Sequence, residues 1–203
     1  EIACMEGAWG GYLPAVDGHE ASGEVSGIGD NIKDLSIGDR VVVTLIRSCG
    51  DCINCKQGQP TLCLTEYDGT NGPLKTLNGD KLIQAMACGA FAEKVVVDKS
   101  QVVKVNKTIS YETAALMACG VITGIGAVVN AAKIKPGQDV VVIGAGGVGL
   151  NAIQGARLAG ARRIVAVDLS EEKLKIAVEF GATDGVLATN SSPWKSVNEK
   201  LGG

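Results

Sequence analysis

In 203 residues the sequence has one histidine, no run of basic residues, no internal repeat and no low-complexity tract. Without a basic stretch nothing tracks a phosphate backbone. The 19 Lys+Arg and 22 Asp+Glu, net charge −3, are spread along the chain, so nucleic acid is not an expected partner. No charged segment followed by an apolar core opens the chain, so no leader is recognisable. It begins with Glu1 rather than Met, which reads as a cut rather than a start. The most apolar window, 140–158, contains Asn151, Gln154, Arg157 and five glycines, so no membrane span is expected there.

What is present is enough apolar residue, 46%, to form real cores in one large or two small domains. Of seven cysteines, four fall within fifteen residues. That clustering favours a metal over a secreted disulfide framework, and a cytoplasmic location is the matching expectation.

Two styles of sequence follow one another. From Gly18 to about Val105, short β-rich runs alternate with glycine and charged turns: 23–27, 39–43, 91–97 and 101–105. After Ser110 the pattern turns helical, and from Pro136-Gly137 it alternates strand and helix. Asp139–Ile143 reads as a buried strand, Val148–Leu158 as a helix ended by Gly160, and Arg163–Val167 as a second strand. Ser170 caps a helix that runs to Phe180, with Glu171 and Glu172 at its positive end and Gly181 terminating it; 185–188 reads as a third strand. The fold class expected is therefore α/β plus β.

Cys49, Cys52, Cys55 and Cys63 form C-x2-C-x2-C-x7-C on a loop carrying Gly50, Asp51, Lys56, Gly58 and Pro60. Four thiolates at such spacing close around one tetrahedral zinc and leave no position for substrate, so the site is expected to be structural. Taken alone, the cluster also suits a small zinc-ribbon module. Further on, Gly144-Ala145-Gly146-Gly147-Val148-Gly149 follows a strand and opens a helix, the context of a dinucleotide turn. Gly144 makes the tight turn, Gly146 admits the pyrophosphate and Gly149 allows helix and strand to pack closely, while the helix N-terminus supplies N–H groups and positive charge. Asp168, 24 residues after Gly144, ends the second strand, where a carboxylate accepts ribose hydroxyls. Lys173 could also reach the ribose, although a solvated helix lysine is the plainer reading.

Gly18-His19-Glu20-Ala21-Ser22-Gly23, the four-cysteine loop, Ala118-Cys119-Gly120 with Thr123-Gly124, and the glycine turn occur in that order. In this the chain resembles the zinc-dependent alcohol dehydrogenases of the medium-chain family over nearly its whole length, nearest to the alcohol dehydrogenase branch with its thiol-dependent formaldehyde dehydrogenases. The resemblance implies a partial GroES-like catalytic domain, 1–120, and the first half of a Rossmann coenzyme domain, 121–203. It implies that His19 and Cys119 hold a catalytic zinc in a Cys2His arrangement. By themselves, a lone histidine in a turn and a cysteine in an apolar segment read as ordinary polar and core residues. Glu20 resembles the acid behind that zinc, and Thr123 and Val148 match positions lining the nicotinamide. The family's first cysteine ligand lies further before Gly18 than Cys4 does, so Cys4 is read as a bystander.

The expected activity is hydride transfer from a primary or secondary alcohol to NAD, by a dimer or tetramer acting on small alcohols or aldehydes. The alternatives are thiol-dependent formaldehyde oxidation and a non-catalytic zinc- and nucleotide-binding protein. With a ligand cysteine, the proton relay and half of a six-stranded sheet outside the 203 residues, the chain alone is expected to be inactive and its open sheet prone to association.

Overall fold

β-Branched runs build the first half of the chain, in keeping with their fit to a pleated, half-buried surface. A computed structural model describes residues 2–8, 13–189 and 192–202, and the chain divides into two units, Glu1–Cys119 and Gly120–Gly203.

The first unit contains α1 (Ile2–Met5), β1 (Ala15–Val16), β2 (Ala21–Glu24), β3 (Arg40–Val43), α2 (Ile53–Lys56), β4 (Ile83–Gln84), β5 (Val102–Lys104) and α3 (Tyr111–Leu116). β3 is the middle strand of an antiparallel sheet ordered β2-β3-β5, with Val42 opposite Ser22 and Val103. β1 and β4 form a separate parallel pair. Val41, Val42 and Val43 are all buried, and Val42 packs on Ala114 and Ala118. Ser110 caps α3 by accepting a hydrogen bond from the Thr113 N–H. Arg40 fixes the approach to that helix: its guanidinium donates to the carbonyls of Lys107 and Ile109 and lies 4.1 Å above the Tyr111 ring. Ser22 Oγ donates to the Tyr111 carbonyl, and the Tyr111 hydroxyl donates to Glu24, so α3 is tied to β2 at both edges of one residue.

Among the described residues, one helical run, Tyr111–Ala131, is long and apolar enough to cross a membrane. It is interrupted by π turns at Met117–Val121 and Ala127–Ala131, which flank α4 (Ile122–Gly126), and Ala114, Ala118, Gly124 and Val128 along it are buried. The apolar window 140–158 is not one helix, because it divides into a strand and a helix at the glycine turn.

The second unit continues with β6 (Asp139–Ile143), α5 (Gly147–Leu158), β7 (Arg163–Asp168), α6 (Glu171–Phe180), β8 (Asp184–Leu187) and α7 (Pro193–Leu201). Its sheet is parallel, in the order β6-β7-β8. α5 and α6 cover one face, with Ile153, Ala156 and Ala177 against Val142, Ile164 and Ala166. Val165, Val167 and Val186 fill the other face beneath Val197 and Leu201 of α7. Ser170 caps α6, and Gly181, at φ +116°, ends it in the left-handed conformation.

Two expectations are corrected. Residues 91–97, read as a strand from their valines, form no regular element; the segment is held instead by isolated bonds, Phe91 N–H to the Asp17 carbonyl and the Gln84 side-chain amide to the Val96 carbonyl. β6 is not buried on both faces, since Val141 is 39% and Ile143 84% exposed. The helix covering that face reaches β7 and β8, and β6 lies at the sheet edge.

Ile153, fully buried among these side chains, and Leu158, 79% exposed on the same helix, make a controlled pair. Ile153→Ala is expected to cost about 2–5 kcal/mol and Leu158→Ala less than about 0.5 kcal/mol in urea unfolding. Equal costs would contradict this assignment of the core.

Candidate metal and coenzyme sites

The four clustered cysteines lie on and around α2, a single turn whose shortness lets the chain fold back on itself. Their Sγ atoms all fall within 4.8 Å of one another, and Cys49 and Cys55 are 4.0 Å apart. A zinc tetrahedron with Zn–S near ~2.3 Å sets S···S at about 3.8 Å, so the cluster fits the ion with small adjustments. Backbone N–H groups point at the sulfurs: Asp51 and Cys52 donate to Cys49, and Cys49 and Thr65 donate to Cys63. Such donors stabilise thiolate over thiol. The Thr65 hydroxyl, then the Asp51 and Cys52 N–H groups, hold the Cys49 thiol down at about 6, whereas burial pushes Cys55 up. With all four corners taken by sulfur, an ion held here would offer substrate no opening.

His19 and Cys119 meet although they stand one hundred residues apart. Nε2 of His19 lies 3.1 Å from Sγ of Cys119, close to the ~3.5 Å that separates a nitrogen and a sulfur on one tetrahedral zinc. Gly18 places the histidine. Its φ is +96°, and a side chain there would press on the backbone of Phe91 at 2.6 Å, so only glycine fits this turn. The turn is held by Ala90 N–H to the Gly18 carbonyl and Phe91 N–H to the Asp17 carbonyl. Cys119 sits in the first π turn, a helical irregularity frequent at functional sites. Glu20 is exposed beside His19, and Cys4, half-buried in α1, belongs to no such grouping among the described residues.

In the second unit the glycine turn is asymmetric in the space it leaves. Gly144 takes φ +92°, and a Cβ on Gly149 would overlap the Gly144 carbonyl, whereas nothing stands within 4 Å of a Cβ at Gly146 or Gly147. The turn is thus closed on its inner side and open on its outer side, at the positive end of the twelve-residue helix α5. Asp168 is tied to it: Oδ2 accepts from the Ala145 N–H at 2.7 Å and Oδ1 from the Ser170 N–H at 3.0 Å. These bonds, Ala145's first, hold its carboxyl below the usual range, and each oxygen keeps a lone pair that can accept a further hydrogen bond. Lys173, exposed in the first turn of α6, adds positive charge near this carboxylate. Thr123 and Val148 are exposed on helices that touch, since a Cβ on the intervening Gly124 would collide with the Val148 carbonyl.

The family profile described as alcohol dehydrogenase GroES-like domain matches residues 1–107, and that described as zinc-binding dehydrogenase matches residues 147–203. The chain belongs to the zinc-binding alcohol dehydrogenase family. It is 39% identical to an S-(hydroxymethyl)glutathione dehydrogenase of Synechocystis over 86% of this chain and 49% of that protein. It is 38% identical to alcohol dehydrogenase-like 7 of Arabidopsis thaliana over 86% of this chain and 47% of that one. Among solved structures it is similar to benzyl alcohol dehydrogenase from Acinetobacter calcoaceticus, with TM-score 0.87, 34% identity and coverage of 98% and 55%. The chain thus spans about half the length of the curated relatives it matches. The fold is accordingly the family's GroES-like domain followed by the start of its Rossmann-like domain, and zinc is the metal that goes with the four-cysteine cluster.

Some features of the chain carry no sign in the sequence. Gln101, read as the first residue of a strand, is fully buried in a short 3-10 turn before β5, and its Nε2 donates to the carbonyls of Thr44 and Ala87. Gln84 is buried likewise, accepting from the Tyr67 hydroxyl and donating to the Cys88 carbonyl. Nothing in local periodicity separates a buried glutamine from an exposed one. The tie between Asp168 and Ala145 was also unseen, although both belonged to the same motif.

Metal analysis of the 203-residue polypeptide after exhaustive dialysis is expected to find about one tightly held zinc, lost on Cys52→Ala, retained on Cys119→Ala, and released as acid protonates the thiolates. Two tight zincs, or loss only on Cys119→Ala, would refute the assignment. For the turn, Gly149→Ala is expected to destabilise the fold, whereas Gly146→Ala leaves thermal stability nearly unchanged and weakens dinucleotide binding in calorimetry. The reverse order of effects would show that the open side faces something other than phosphate.

Proposed function

We propose that this chain is the zinc- and coenzyme-holding part of an NAD-linked alcohol dehydrogenase that oxidises a primary or secondary alcohol to an aldehyde or ketone. The observation that carries the reading is the 3.1 Å approach of His19 Nε2 to Cys119 Sγ, a nitrogen and a sulfur with the spacing of two ligands on one ion. The four-sulfur cluster has no corner left for a substrate, whereas a nitrogen and a sulfur alone leave an ion's other corners free. Bound there with a further cysteine, zinc supplies a Lewis acid that favours alkoxide over alcohol, and the nicotinamide supplies the hydride acceptor.

The chain's own residues bind and orient. His19 and Cys119 hold two corners of the metal site, and Glu20, next in the chain and exposed, is the acid behind it. Gly144, Gly146, Gly147 and Gly149 leave room for the pyrophosphate at the N-terminus of α5, and Val148 and Thr123 offer an apolar and a hydroxyl surface for the nicotinamide end. Asp168 selects the ribose, with Lys173 as a second contact. The substrate is a small alcohol or aldehyde, and assembly as a dimer or tetramer belongs to the same proposal, as does a reduced, cytoplasmic setting that suits free thiols.

Thiol-dependent formaldehyde oxidation is the second reading, supported by relatives named S-(hydroxymethyl)glutathione dehydrogenase. An NADH absorbance assay on the full-length zinc-loaded protein, with ethanol, longer primary alcohols and a thiol–formaldehyde adduct, separates the two. Turnover of plain alcohols that is abolished by His19→Ala is expected; turnover only with the adduct would favour the second reading, and His19→Ala at the parental rate would sink both. The 203-residue polypeptide alone is expected to be silent in the same assay, because geometry, metal and coenzyme must all be fixed at one carbon.

Coenzyme choice follows from Asp168. A 2′-phosphate about 4 Å from its carboxylate meets repulsion that, after screening, disfavours NADP roughly thirtyfold. Equal catalytic efficiency with the two coenzymes, or an Asp168→Ser variant that keeps the parental ratio, would contradict this.

A further inference from the structure

Cys119 is presented from a π turn, Met117–Val121, within an otherwise α-helical run. A π turn admits an extra residue into the hydrogen-bond ladder and so shifts carbonyls out of register with their helical donors. The carbonyl preceding Cys119, that of Ala118, accepts a hydrogen bond from outside the helix: Thr44 Oγ1 donates to it at 3.0 Å in a buried setting. Ala118 itself is 1% exposed, so its carbonyl depends on protein donors.

Thr44 follows the three buried valines of β3 and is itself buried at 9% exposure. A fourth valine would continue the apolar run and fill the same volume; threonine differs from it by one hydroxyl, which must be partnered to be tolerated there. Thr44 is also unusually fixed. Its N–H donates to the Gln101 carbonyl at 2.9 Å, and its carbonyl accepts from Gln101 Nε2 at 3.0 Å and from Cys88 Sγ at 3.3 Å. Gln101 and Cys88 are fully buried, so the hydroxyl is delivered to Ala118 from a rigid base rather than a mobile loop.

We propose that Thr44 is a positioning residue for the catalytic metal: held by Gln101, its hydroxyl pins the π turn at Ala118 and thereby sets the direction in which Cys119 presents its sulfur to the ion shared with His19. Thr44 touches neither metal nor substrate and acts only through the backbone. The proposal rests on the reading of His19 and Cys119 as ligands.

Cobalt(II) in place of zinc in the holoenzyme reports on the site without turnover. The part of the cobalt spectrum and of the bound metal lost in Cys119→Ala defines the second site. Thr44→Val is expected to alter that part of the spectrum and to weaken cobalt binding there about 10–100-fold in chelator competition, the usual effect of removing a group behind a ligand. Thr44→Ser, which keeps the hydroxyl, is expected to restore both. A merely structural role for Thr44 would lower the melting temperature and leave the spectrum and affinity of folded protein unchanged. Should Thr44→Val fail to fold, Thr44→Ala removes the same hydroxyl and carries the same expectation. Parental affinity and spectrum in the folded hydroxyl-less variant, with loss of metal in Cys119→Ala, would overturn this proposal alone. No loss of metal in Cys119→Ala and His19→Ala would overturn the ligand reading and this proposal with it.

Discussion

The approach of His19 to Cys119 closes a loop of one hundred residues, and most of the first unit's architecture serves the two ends of that loop. Closing so long a loop carries an entropic cost that local contacts must offset. At the histidine end, Gly18 fits where no other residue does, with the backbone of Phe91 against it. At the cysteine end, α3 is fastened to the sheet through Arg40, Tyr111, Ser22 and Glu24, and the π turn beyond it receives the Thr44 hydroxyl. Each fastening is a hydrogen bond or ring contact of ordinary strength, and together they hold the segments that carry His19 and Cys119.

The four-cysteine lobe solves the opposite problem. Its ligands lie within fifteen residues, so loop closure costs little, and backbone N–H groups already face the sulfurs. A local cluster suits an ion that holds a loop. A distant pair suits an ion whose coordination must be set by the folded domain and left open on one side.

The same distinction explains what was legible in the sequence. The cysteine spacing and the glycine turn are local patterns whose chemistry follows from a few consecutive residues, and the second unit's strands and helices were readable because capping serines, terminal glycines and apolar periods coincide there. His19 and Cys119 emerged only through resemblance, since neither residue carries a local sign of the other. Residues 91–97 misled because valine content was read as a strand, while their main chain bonds irregularly. The exposure of Val141 and Ile143 depends on which helix covers β6, and the burial of Gln101 on Thr44 and Ala87, both distant in sequence. Tertiary partners of that kind leave no period to read.

We propose that one ion joins His19 and Cys119 across that loop. Anomalous diffraction at the zinc edge from crystals of the full-length, zinc-loaded protein tests it most directly. Two peaks per chain are expected, one at about 2.3 Å from the sulfurs of Cys49, Cys52, Cys55 and Cys63, and a second at about 2.0–2.3 Å from both His19 Nε2 and Cys119 Sγ. A single peak at the four-cysteine lobe, with His19 and Cys119 in contact and no ion between them, would contradict it.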